Sequence, residues 1–148
     1  MSYLIALIAI LFLIGSFSFA FPSAKMRRLS KLRLDAKKHG FNIFLTQSSK
    51  KDFLSKDVKL IHYQLKNITN LHDAHFVRAN DGMICEGPVK LKFSQEFDKI
   101  LSILNQLPPS VQEIIFYKKY IHFLWDEKNT HKELNLSLIH ISEPTRHR

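Results

Sequence analysis

The chain has one cysteine among its 148 residues, Cys85, so no internal disulfide framework can brace it. A single thiol also accords with a reducing cytoplasm. Glycine is scarce at four residues and proline contributes five, which leaves no long flexible linker. Neither a Walker loop nor a dinucleotide fingerprint is present, and no nucleophile elbow, internal repeat or low-complexity tract occurs. These absences remove the enzyme classes that are recognised by motif.

Charge is missing from one particular stretch. Tyr3 to Phe21 carries no ionisable side chain except the Tyr3 phenol, and its non-apolar members are the small residues Gly15, Ser16 and Ser18. As a helix this run would extend about 28 Å, close to the hydrocarbon thickness of a bilayer. The small Ser18-Phe19-Ala20 tripeptide also suits a cleaved secretory signal, but such signals carry cations before their apolar core. Here the cations follow it. The expectation is a transmembrane anchor at residues 1–22, crossing a membrane once. By the positive-inside rule its N-terminus lies outside and the rest of the chain is cytoplasmic.

The cations themselves form a second segment, 23–40. Lys25, Arg27, Arg28, Lys31, Arg33, Lys37 and Lys38 stand against Asp35 alone. On a basic juxtamembrane helix, all seven are expected to contact the membrane surface and its anionic lipid heads, at about 1 kcal/mol each. Leu29, Leu32 and Ala36 make one narrow apolar stripe, facing either lipid or the domain, and Gly40 suits the left-handed position that ends a helix.

At the far end, Leu136-Ser137-Leu138-Ile139-His140-Ile141-Ser142-Glu143-Pro144-Thr145-Arg146 matches, residue for residue, the translation of a transposon mosaic end and sequencing adapter. Residues 136–148 are therefore read as adapter-derived, with genuine protein reaching about Asn135. Without Glu143, Arg146 and Arg148, the 22 basic and 13 acidic residues fall to 20 and 12, a net charge of +8 instead of +9. Six of those eight charges sit in residues 25–38. The remainder is nearly balanced, so the high pI is a local effect and does not by itself call for nucleic acid.

Residues 41–135 are enough for one small domain. Phe41 to Thr46 reads as a strand with Phe41, Ile43 and Leu45 on one face, Ser48 to Asp52 as a polar turn, and Val58 to Leu65 as a second strand. Two more strands flank Asp81-Gly82, a strong two-residue hairpin signal. Ser94 is expected to cap a helix reaching Gln106, with Phe97, Ile100, Leu101 and Leu104 on its apolar face. Glu113 to Tyr117 and Tyr120 to Trp125 are strands joined by Lys118-Lys119. The expected fold class is α+β: one transmembrane helix, one basic helix, and a small, mainly antiparallel sheet with one packed helix.

Chemical candidates are few. His72, His75 and Cys85 offer zinc-type ligands without a recognised zinc spacing. Glu96 and Asp98 point away from each other on a helix and suit its first turn, while Asp126-Glu127 reads as a solvated strand end. Phe116, Tyr117, Tyr120, Phe123 and Trp125 interleave with Lys118 and Lys119 like a single-strand nucleic-acid platform, although sheet packing explains such rings more cheaply. No catalytic, cofactor-binding or metal-ligating residue is assigned, and no nucleic-acid partner is expected.

Phe21-Pro22-Ser23, Arg27-Arg28-Leu29, Leu32-Arg33, Ala36, Gly40-Phe41, Leu107-Pro108 and Trp125-Asp126-Glu127 together resemble a family of uncharacterised small single-pass inner-membrane proteins of gammaproteobacteria. Some members of that family carry a preprotein-translocase accessory label. The resemblance implies a membrane-anchored, non-enzymatic interaction protein, with the bilayer and an unidentified protein as partners. An accessory subunit of the translocase is the alternative, and a membrane-surface enzyme a further one.

Overall fold

The computed structural model describes residues 2–128, with side-chain surroundings given for 3–16 and 21–128. The chain divides into two compact units, one ending at Lys31 and one beginning at Leu32. The expected adapter-derived residues, 136–148, lie outside the described residues.

In the first unit, α1 runs from Ser2 to Ala20. Leu4, Ile5, Leu7, Ile8, Ile10, Leu11, Phe12, Leu13 and Ile14 are all more than half exposed, and the Ser16 hydroxyl donates back to the Phe12 carbonyl at 2.8 Å. The expected anchor is not met. Among the described residues, no helix is long and apolar enough to cross a membrane. The transmembrane, single-pass and inner-membrane assignments are corrected accordingly. The orientation falls with them, because charge asymmetry orients a span only where there is one.

Helix α2, Ala24–Lys38, starts where Ser23 Oγ accepts the Met26 amide at 3.2 Å. It stops at Gly40, whose φ of 86° admits the left-handed turn and lets the Phe41 amide reach the Ala36 carbonyl at 3.1 Å.

The second unit is built on one antiparallel sheet of six strands: β1 Asn42–Phe44, β2 Leu60–Lys66, β3 Ala74–Ala79, β4 Gly82–Gly87, β5 Val111–Phe116 and β6 Tyr120–Asp126, in the spatial order β1-β2-β6-β5-β3-β4. The α+β, antiparallel expectation is met in this unit. One sheet face carries the main core. Leu32 and Ala36 from α2, and Ile100 and Leu104 from α3 (Phe97–Asn105), cluster with Tyr63, Phe76, Ile114, Phe116, Ile121, Phe123 and Trp125. Each fully buried leucine here contributes about 1.5–3 kcal/mol. The sequence stripe Leu29, Leu32, Ala36 thus turns its buried members to protein and not to lipid.

Several boundaries move for physical reasons. β1 shortens to three residues because Leu45 is exposed and has nothing to pack on. The β3–β4 hairpin closes on Ala79 opposite Gly82, one residue earlier than expected, and positive φ falls on Gly82 alone. That glycine is required twice, because a Cβ there would also lie 2.7 Å from Asn105 Oδ1. Ser94 closes a 3-10 turn over Val89–Phe93, its hydroxyl donating to the Leu91 carbonyl at 2.8 Å, so it does not cap α3. The Lys118-Lys119 loop forms as expected, with the Tyr117 amide donating to the Tyr120 carbonyl at 2.8 Å.

Glu127, just past β6, corrects the solvated-end reading. Its side chain is 7% exposed; Arg33 donates to it through Nε at 2.9 Å and Nη2 at 2.6 Å, and the Tyr63 hydroxyl adds a third bond at 2.6 Å. Replacing Arg33 by Ala strips a nearly buried carboxylate of its cation and is expected to lower stability by about 2 kcal/mol, toward the low end for broken pairs because Arg33 is partly exposed. Lys37→Ala should stay within about 0.5 kcal/mol in the same urea titration. Equal losses for the two variants would show that the pair contributes no more than a surface charge.

Candidate functional site

The second face of the sheet is covered by a strap, residues 47–57, that opens with a 3-10 turn at Gln47–Lys50. Phe53 packs on Leu60, Ile115, Leu124 and Tyr117, and the strap's carbonyls are gathered by its own lysines. Lys56 Nζ donates to the Lys50, Lys51 and Phe53 carbonyls, and Lys50 Nζ to that of Asp57 at 2.8 Å. Burial pushes the Lys50 ammonium below its ordinary value.

What holds the strap to the sheet is Glu113 on β5, which is completely buried. Its Oε1 accepts the Leu54 amide at 2.7 Å and its Oε2 the Ser55 amide at 2.9 Å, while His75 Nε2 approaches Oε1 at 2.7 Å. His75 therefore serves this carboxylate from the second face. Cys85, on β4, is buried in the core on the other, His72 is exposed, and the three candidate zinc ligands are not brought together. Among the described residues, no group of three or more His, Cys, Asp or Glu side chains is arranged to hold a metal ion.

Beside the strap, β2 and β6 set a polar chain across the same face. Asn42 Nδ2 donates to Gln64 Oε1 at 3.1 Å, which turns the Gln64 amide nitrogen toward His122 Nε2, also at 3.1 Å. On that amide orientation His122 Nε2 accepts, its proton sits on Nδ1, and His62 Nε2 receives it at 3.2 Å. His62 then carries its own proton on Nδ1. That atom is buried without a hydrogen-bond partner, although the Ser49 backbone stands near enough to favour the charged ring. Phe44 stacks on the His62 ring at 4.8 Å and Phe53 meets it edge-on at 5.1 Å. Burial first, and then the neighbouring imidazole, push His62 down to about 4; burial also lowers His122. The Tyr117 hydroxyl donates to Asp52 Oδ2 at 2.9 Å, and burial with that bond raises Tyr117 to about 12.

The sheet's two outer edges differ. On β4, the Met83 amide is taken by Asn105 Oδ1 at 2.7 Å. On β1, among the described residues, no hydrogen bond reaches the backbone of Asn42, Ile43 or Phe44 from the side away from β2. An open groove of about 520 Å³ runs along that side, lined by Lys37, Gly40, Phe41, Asn42, Ile43 and Phe44.

Of the seven cations expected at a lipid surface, Lys25, Arg27, Arg28, Lys31, Lys37 and Lys38 are exposed, and Arg33 is diverted to Glu127. The sequence held a signal for this. Arg33 stands four residues after Leu29, on the same side of the helix as Leu32 and Ala36. Phe116, Phe123 and Trp125 are buried, so those rings form core and not a stacking platform; Tyr120 remains exposed. The Asn67-Ile68-Thr69 sequence makes a local turn, with Asn67 Oδ1 accepting from the Thr69 amide and hydroxyl at 2.8 and 2.7 Å.

Two outcomes follow. Glu113→Leu removes the acceptors of the Leu54 and Ser55 amides, so hydrogen exchange at both should accelerate well before global unfolding, and unchanged protection there would refute the strap's dependence on Glu113. His62 titrates near 4 when folded and near 6.5 when unfolded, so the unfolded state binds more protons between those values. Stability from this group is complete above about pH 6.5 and falls as pH drops toward 4, with His122 adding in the same direction. His62→Phe, which fits beside Phe44 and Phe53, should flatten the fall between pH 7 and 5 in denaturant titrations. Compared with known families, curated proteins and solved structures, the chain matches none.

Proposed function

We propose that the unit beginning at Leu32 is a non-enzymatic interaction module that takes an extended, acidic segment of another protein along the free edge of β1. The supporting observation is the open edge of β1, which lies beside a groove, whereas on β4 Asn105 already takes the Met83 amide. An extended peptide added there would gain main-chain hydrogen bonds from β1 and place alternate side chains in the groove. Three residues of strand give few such bonds, so side-chain charge must supply part of the affinity. Lys37 lines the groove and Lys38 follows it, which favours carboxylates on the incoming strand.

The test uses fluorescence anisotropy with two synthetic strands, one alternating valine and glutamate and one alternating valine and lysine. The acidic strand should bind at least about tenfold tighter, weaken with added salt, and lose that preference in Lys37→Glu. Ile43→Pro, which removes the β1 amide that faces away from β2, should abolish binding of both. Equal binding of the two strands, or acidic binding untouched by both variants, would overturn the reading. So would an anionic phospholipid vesicle that competes fully with the peptide, because the cations would then be serving lipid heads and not a strand.

A further inference from the structure

His62 Nε2 and His122 Nδ1 face each other at 3.2 Å from neighbouring strands. Two imidazole nitrogens bound to one tetrahedral zinc ion, each at about 2.0–2.1 Å, stand about 3.3 Å apart. A shared hydrogen bond gives a similar separation, so the distance alone does not decide the matter. The proton inventory goes further. His62 already holds its proton on Nδ1 and presents a bare Nε2 to its neighbour, which is the tautomer a ligand requires. His122 needs to move one proton from Nδ1 to Nε2. The group placed at that Nε2 is the Gln64 amide, which becomes an acceptor by turning its oxygen inward.

The surroundings suit the same use. Phe44, Phe53 and Tyr117 wall the pair on its apolar sides, at ring separations of 4.8, 5.1 and 5.0 Å. His122 is only partly buried, so solvent reaches the pair from its side and can fill the remaining coordination positions. The charged groups acting on the pair are Asp52, which favours a cation at both rings, and Lys50, which opposes one at His62 but has its ammonium tied to the Asp57 carbonyl.

We propose that His62 and His122 together form a two-imidazole site for a borderline divalent metal ion such as Zn²⁺, with water completing the coordination on the His122 side. Binding relocates one proton within the His122 ring through solvent and releases none. Turning Gln64 withdraws the acceptor of Asn42 Nδ2 and so loosens a side-chain link between β1 and β2. The site does not depend on whether β1 takes a peptide.

The experiment is a calorimetric titration of the full chain with ZnCl₂ at pH 7, beside His122→Ala and the control His75→Ala. Saturable binding that weakens at least about tenfold in His122→Ala but not in His75→Ala is the expected result. Nitrogen-15 spectra should show the His122 proton move from Nδ1 to Nε2 as zinc is added, a change that a merely structural pair would not make. The partly exposed His122 is chosen because His62→Ala would open the hydrophobic wall. No saturable binding, equal loss in both variants, or an unchanged His122 tautomer would each overturn the proposal.

Discussion

Glu127 is the contact on which the arrangement of the second unit depends. It sits just beyond β6, the most central long strand, and gathers Arg33 from α2 and Tyr63 from β2 onto one carboxylate. Tyr63 is itself in the core, stacked on Phe123 at 5.5 Å and edge-on to Trp125 at 5.3 Å. Apolar burial of Leu32 and Ala36 would hold α2 somewhere on the sheet, but it is non-directional and permits sliding. A two-pronged guanidinium pair does not, because both oxygens and both nitrogens must meet in one geometry. The ion pair therefore supplies register, and the hydrophobic contact supplies adhesion. With α2 fixed, its end at Gly40 delivers Phe41 to the core and leads directly into β1.

The other face follows a different logic. Among the described residues of this unit no α-helix packs on it, and a short strap closes it by giving the Leu54 and Ser55 amides to Glu113 and the Phe53 ring to Leu60, Ile115 and Leu124. Such a cover is thin, and the polar chain of Gln64, His122 and His62 lies partly beyond it. One face is closed by side-chain volume and registered by the Arg33–Glu127 pair, and the other is closed chiefly by hydrogen bonds to Glu113.

Legibility in the sequence divides along the distance between partners. The α3 face was readable because Phe97, Ile100, Leu101 and Leu104 repeat at helical spacing within one element. Gly40 was readable because chain reversal after a helix demands a local conformation. Glu127 was misread because its partners lie 94 and 64 residues away, and nothing near Trp125 marks them. The histidine pair was hidden for the same reason: Gln64 opposite His122 is a matter of strand register, which composition does not carry. The apolar run at the N-terminus shows the converse. Its hydropathy was plain, yet among the described residues no helix is long and apolar enough to cross a membrane.

Asn105 also determines how far this sheet can grow. A sheet with two open edges is a polymerisation unit, since each added copy presents a fresh edge to the next. Here one edge is occupied by a side chain whose oxygen lies so close to Gly82 that any larger residue there would strike it. Two copies meeting edge to edge at β1 would expose two β4 edges, each with its Met83 amide already taken. The hairpin glycine and the asparagine opposite it thus act together against strand addition at β4, the glycine making room for the side chain that takes the Met83 amide.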